Sequence, residues 1–103
     1  MNIDLELAKK ILFVVEEHNP KDRRIVLGIS GHSQETTSHH VELLHEAGLI
    51  KAADYSSLRH YWEPKSLTEK GTEICTLLRN SSYGKLRLKK LLKETQYRLR
   101  NRS

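Results

Sequence analysis

A chain of 103 residues, 37% of them apolar, has room for one hydrophobic core and excludes a multidomain arrangement. No run approaches the ~20 apolar residues of a membrane span, no export signal opens the chain, and the lone Cys75 excludes an internal disulfide, so a soluble cytoplasmic protein is expected. The net charge of +5 is concentrated: residues 1–84 carry 10 Lys and Arg against 12 Asp and Glu, while residues 85–103 carry 8 against 1, which assigns any polyanion affinity to the C-terminal stretch.

Asn2 to His18 is predicted as the first helix, with Leu5, Ala8, Ile11, Leu12 and Val15 as its apolar stripe. Asp4 and Glu6 fall in the first turn, where negative charge suits the helix dipole. Asn19-Pro20 ends the helix, because a residue preceding proline avoids helical angles. Ile25, Val26, Leu27 and Ile29 are too few and too β-branched for another helix, and read as a short extended segment before a turn at Ser30-Gly31.

A second helix is predicted from Ser33 to Ala47. Ser33 is a capping residue, Thr37, Val41 and Leu44 follow at helical spacing, and Gly48 stands where a left-handed C-terminal residue is wanted. Ile50 to Tyr55 and Arg59 to Glu63 read as two strands joined at Ser56-Ser57. Thr68 caps a third helix with Ile74, Leu77 and Leu78 on its buried face, ending near Arg79-Asn80. Ser81 or Ser82 opens a last helix from Tyr83 to about Leu99. Its stripe of Leu88, Leu91, Leu92, Thr95 and Leu99 is narrow enough to suggest a helix-pairing seam.

The ending HHVELLHEAGLI of the second helix resembles the recognition helix of winged helix-turn-helix repressors of the arsenic-repressor-like type, in which S-x-H-L-x-x-L-x-x-A-G-L is common. The longer run from Ser38 to Asn80 is similar to a small uncharacterised family of bacterial and phage-borne proteins. The matching residues are His40, Leu43, Leu44, Glu46 to Ile50, Trp62, Pro64, Leu67, Thr68, Gly71, Arg79 and Asn80, and the similarity extends over about residues 3 to 85. The resemblance implies an α+β, mostly α, winged-helix domain over residues 1–80. Residues 81–103 would add a basic amphipathic helix. Activity has to be argued from the residues.

If the second helix enters a major groove, its early exposed residues Gln34, Glu35, Ser38, His39 and Glu42 reach the bases. Gln34 and Ser38 have hydrogen-bonding chemistry suited to base edges, with His39 beside them. The helix has no Lys or Arg and carries Glu35, Glu42 and Glu46, which opposes phosphate approach. Arg59 and His60 sit at the expected wing tip, where arginine suits a narrow minor groove. Lys85, Arg87, Lys89, Lys90 and Lys93, with Arg98, Arg100 and Arg102 beyond them, provide phosphate contacts along the last helix.

These readings converge on a DNA-binding protein, a small transcriptional regulator acting on double-stranded DNA as a homodimer paired through the leucine stripe. The alternative is a protein-interaction module on the same scaffold, such as a phage or mobile-element accessory protein binding a host protein. A membrane role is disfavoured because the basic helix lacks Trp and Phe anchors. His39, His40 and His45 do not converge on one centre, so no metal site is expected. No catalytic motif or cofactor fingerprint is present either, which points to a non-enzyme without a cofactor.

Overall fold

The computed structural model describes residues 3–18, 31–55 and 61–101. Among these, the chain forms four helices and a two-stranded antiparallel sheet in the order α1 (Leu5–Glu17), α2 (Gln34–Glu46), β1 (Ile50–Asp54), β2 (Trp62–Leu67), α3 (Glu69–Asn80) and α4 (Tyr83–Arg100). Leu7, Ala8, Ile11, Leu12 and Val15 of α1 meet Val41, Leu43 and Leu44 of α2, Ile74 and Cys75 of α3, and Leu88 and Leu92 of α4 in one core. Each fully buried Leu or Ile there contributes about 1.5–3 kcal/mol of transfer free energy.

Helix α1 starts later than predicted. Asp4 lies outside it as the N-cap and its carboxylate accepts from Leu7 N at 3.1 Å, which holds the Asp4 carboxyl below its ordinary value. The Asp4 N–H donates to His40 Nε2 at 2.9 Å, leaving His40 Nδ1 to donate to Thr36 O at 2.8 Å. His40 therefore ties the start of α1 to the first turn of α2 from a fully buried position.

Helix α2 has the expected ends. The Ser33 hydroxyl accepts from Thr36 N at 3.1 Å. At the other end Gly48 takes φ +80°, with Gly48 N donating to His45 O and Leu49 N to Leu44 O, both at 3.0 Å. This pair of bonds closes a Schellman motif and sends the chain directly into β1. The turn also receives α3. Thr68 N donates to Leu49 O at 3.0 Å, the Thr68 hydroxyl donates to Gly48 O at 2.6 Å, and Gly71 N donates back to that hydroxyl at 3.1 Å. The end of α2 and the start of α3 are thus one junction.

The returning strand differs from expectation. It runs Trp62–Leu67 rather than ending at Glu63, and its pairing skips Lys65, with Lys51 opposite Ser66 and Ala52 opposite Pro64. A bulge at this point absorbs the proline, which has no N–H for the ladder, and a two-stranded sheet has edges on both sides where this is tolerated. The extended segment expected over residues 25–29 and the hairpin tip at Ser56-Ser57 lie outside the described residues.

The leucine stripe of α4 is also reassigned. Leu88, Leu92 and Thr95 are buried in this chain's own core, and Leu91 and Leu99 are packed against it. It cannot serve as the seam of a homodimer without unpacking the domain. Gly84 lets α4 approach α3 closely, since a Cβ there would stand 2.6 Å from the Leu77 carbonyl carbon. The cap also differs in detail: Ser82 makes no side-chain cap bond, and the Ser81 hydroxyl accepts from Tyr83 N at 3.0 Å instead.

Candidate nucleic-acid interface

With one side of α4 buried, its opposite side is determined. Leu86, Lys89, Lys93, Tyr97 and Arg100 recur at steps of three and four and form an exposed stripe. Tyr83, Arg87, Lys90 and Glu94 form a second stripe beside it at steps of four, three and four, also exposed. Of the five large apolar side chains exposed among the described residues, three lie here: Tyr83 at 55%, Leu86 at 66% and Tyr97 at 71%. The face is therefore cationic with an apolar ridge, and Glu94 is its one carboxylate.

Two cations of the helix are committed elsewhere. Lys85 Nζ lies 2.9 Å from Glu6 Oε1 on α1, a pair that lowers the Glu6 carboxyl through the lysine's hydrogen bond and charge. Arg98 Nη2 donates to Glu46 O and to the Thr95 hydroxyl, each at 3.3 Å, fastening the end of α4 to the end of α2. Arg87, Lys89, Lys90, Lys93 and Arg100 have no carboxylate partner among the described residues.

The predicted reading helix presents the opposite chemistry. Glu35, His39, Glu42 and Glu46 follow at steps of four, three and four and make up the outer stripe of α2. His39 Nδ1 lies 3.8 Å from Glu42 Oε1. Its Nε2 is buried with no hydrogen-bond partner among the described residues. Burial, followed by the charge of the adjacent His40, pushes the His39 imidazole below its ordinary value, so the stripe gains no compensating positive charge near neutral pH.

The candidate readers therefore separate. Gln34 is exposed at the first position of α2. Ser38 is buried, and its hydroxyl accepts from Trp62 N at 2.7 Å. It joins α2 to β2 and does not present a hydroxyl to a ligand. His39 is half-buried on the acidic stripe. Arg59 and His60 lie outside the described residues. Lys85 is held by Glu6, while Arg87, Lys89, Lys90 and Lys93 share the outer face of α4 with Arg100. Reading the stretch by its cations alone missed Tyr83, Leu86 and Tyr97. Placing the leucines on a helical wheel would have shown these three on the far side.

The family model described as "Hypothetical protein (DUF2513)" matches residues 2–96. The chain belongs to the DUF2513 family. A relative, an uncharacterized protein of Haemophilus influenzae (strain Rd), is 34% identical over 84 residues, covering 80% of this chain and 71% of its own length. No solved structure matches the chain. The matched span takes in α1 to α3 and most of α4, so the basic helix is part of the family's own domain. Among the described residues, no helix is long and apolar enough to cross a membrane.

Proposed function

We propose that this DUF2513 protein is a winged-helix protein that binds double-stranded DNA through the outer face of α4, as a small regulator would. The observation that carries the reading is the set of five exposed cations, Arg87, Lys89, Lys90, Lys93 and Arg100, without carboxylate partners among the described residues. Phosphate neutralisation dominates duplex affinity, and this is the surface that offers it. The winged-helix assignment is supported by α2 leading through a glycine turn into an antiparallel hairpin, the order in which such domains join a helix to a wing. In this reading the acidic stripe of α2 faces away from the phosphates, and the basic helix takes over the docking role.

Fluorescence anisotropy of a labelled duplex across a salt series tests the proposal. If all five cations contact phosphates, log K against log salt should fall with a slope of about −4.5, and Lys89→Ala with Lys93→Ala should make it shallower by about 2. Absence of binding at low salt would overturn the reading. A second reading, a protein-interaction module, is favoured by one observation. The Glu35, Glu42 and Glu46 stripe is a surface that a nucleic acid avoids and a basic protein partner fits.

A further inference from the structure

The outer face of α4 carries apolar side chains that phosphate binding leaves unused. Tyr83 and Leu86, three residues apart, form one apolar spot at the start of the helix, and Tyr97 forms a second near its end. Between the two spots stand Lys89, Lys90 and Lys93, all exposed. Neither tyrosine side chain has a ring or hydrogen-bond partner among the described residues. The rings are 14 residues apart, which is about 21 Å along the helix axis and within about 40° of each other around it.

Rings in water on a cationic face are matched by a ligand that offers flat apolar surface beside negative charge. A paired duplex offers the charge alone, because its base faces are covered by stacking. An unpaired strand offers both, and stacking of bases on aromatic rings beside Lys and Arg is a recurrent way of holding one. An anionic membrane also combines them, but a helix lying in it needs a continuous apolar side. Here three lysines occupy the middle of the helix between the two apolar spots.

We infer that α4 holds single-stranded DNA, with phosphates on Lys89, Lys90 and Lys93 and one base stacked on each of Tyr83 and Tyr97. A stacked strand advances about 3.4 Å per nucleotide, so the interval between the rings spans about six nucleotides. Arg87 and Arg100 stand one turn from Tyr83 and Tyr97 respectively, which puts a cation beside each stacked base. The inference rests on the assignment of these cations to phosphate made above, and adds that the face prefers an unpaired strand.

Fluorescence anisotropy of the full chain at one low salt concentration tests it, with an oligothymidylate of about 20 nucleotides alone and paired with oligodeoxyadenylate. The strand should bind more tightly, although the duplex has the higher charge density and charge alone favours it. Tyr83→Ala and Tyr97→Ala should each weaken strand binding roughly fivefold or more, while Tyr97→Phe, which keeps the ring, should stay within about twofold of wild type. All three should leave duplex affinity within about twofold, and their thermal melts should match the wild type because both positions are exposed. Strand binding no tighter than duplex binding, or indifferent to both alanine changes, would overturn the inference. So would tighter binding to phosphatidylserine vesicles or to oligouridylate of equal length. Failure of the duplex reading is separate: no duplex binding with tyrosine-dependent strand binding overturns that reading alone, whereas a bound duplex with the strand no tighter overturns only this one.

Discussion

Gly71→Ala sets two effects of opposite sign against each other. In an ordinary helix interior the exchange stabilises by about 1 kcal/mol. At Gly71 the added Cβ would stand 2.0 Å from Leu49 O, 3.0 Å from Leu49 C and 3.2 Å from Leu67 Cδ2. The first neighbour is a backbone carbonyl and cannot rotate aside, so an ordinary C···O separation of about 3.3 Å requires α3 to withdraw by roughly 1 Å. That shift strains the two bonds that seat Thr68 on Leu49 and Gly48. Overpacking costs about 1–3 kcal/mol and two weakened hydrogen bonds about 1 kcal/mol each. Set against the propensity gain, the net is a loss of about 2–4 kcal/mol. For a domain of this size that lowers Tm by roughly 10–30 °C, readable as a thermal melt in far-ultraviolet circular dichroism. A Tm unchanged or raised would show that the junction is looser than described and would refute the argument.

Two further outcomes follow from buried polar groups. Ser38→Ala removes the acceptor of the Trp62 N–H and should cost about 1–3 kcal/mol in urea denaturation. Its effect on duplex affinity at fixed salt should be small, because the hydroxyl faces β2 and not solvent. His39, whose imidazole is depressed below 6.5 chiefly by burial, binds protons less readily folded than unfolded. Its contribution to stability is therefore full above 6.5 and is lost as pH falls through the lowered folded value. The urea midpoint of the wild type should drop across that interval and that of His39→Gln should drop less; equal slopes would remove His39 from the account.

Features that depend on neighbours along the chain were legible from the sequence. Ser33 and Gly48 bracket α2 because a hydroxyl cap and a left-handed residue act within one turn of their own position. Features that depend on what stands across the core were not. The period of Leu88, Leu92 and Thr95 shows that one side of α4 is buried, but a stripe of that width fits a neighbouring α3 as well as a symmetry mate. Ser38 misled for a related reason: a small hydroxyl is equally at home in water and bonded to a backbone amide of another element. The returning strand was expected to end at Glu63, and the bulge opposite Lys51 and Ala52 explains how β2 continues past Pro64. In the candidate site the five cations were apparent from composition, while the committed state of Lys85 required seeing Glu6 on a helix nearly 80 residues away.

The seating of α4 on the core through Leu88, Leu92 and Thr95 gives its outward charges a set pitch. A disordered basic tail adjusts to any polyanion and loses conformational entropy with each contact it makes. A helix locked to a domain has already lost that freedom during folding, so under the proposed reading a partner would meet a ruler with marks about 6 Å and about 10.5 Å apart at Lys89, Lys93 and Arg100. Ligands of equal total charge are then sorted by the distance between their charges. Inserting one residue before Lys93 would change what this surface selects more than removing one lysine would.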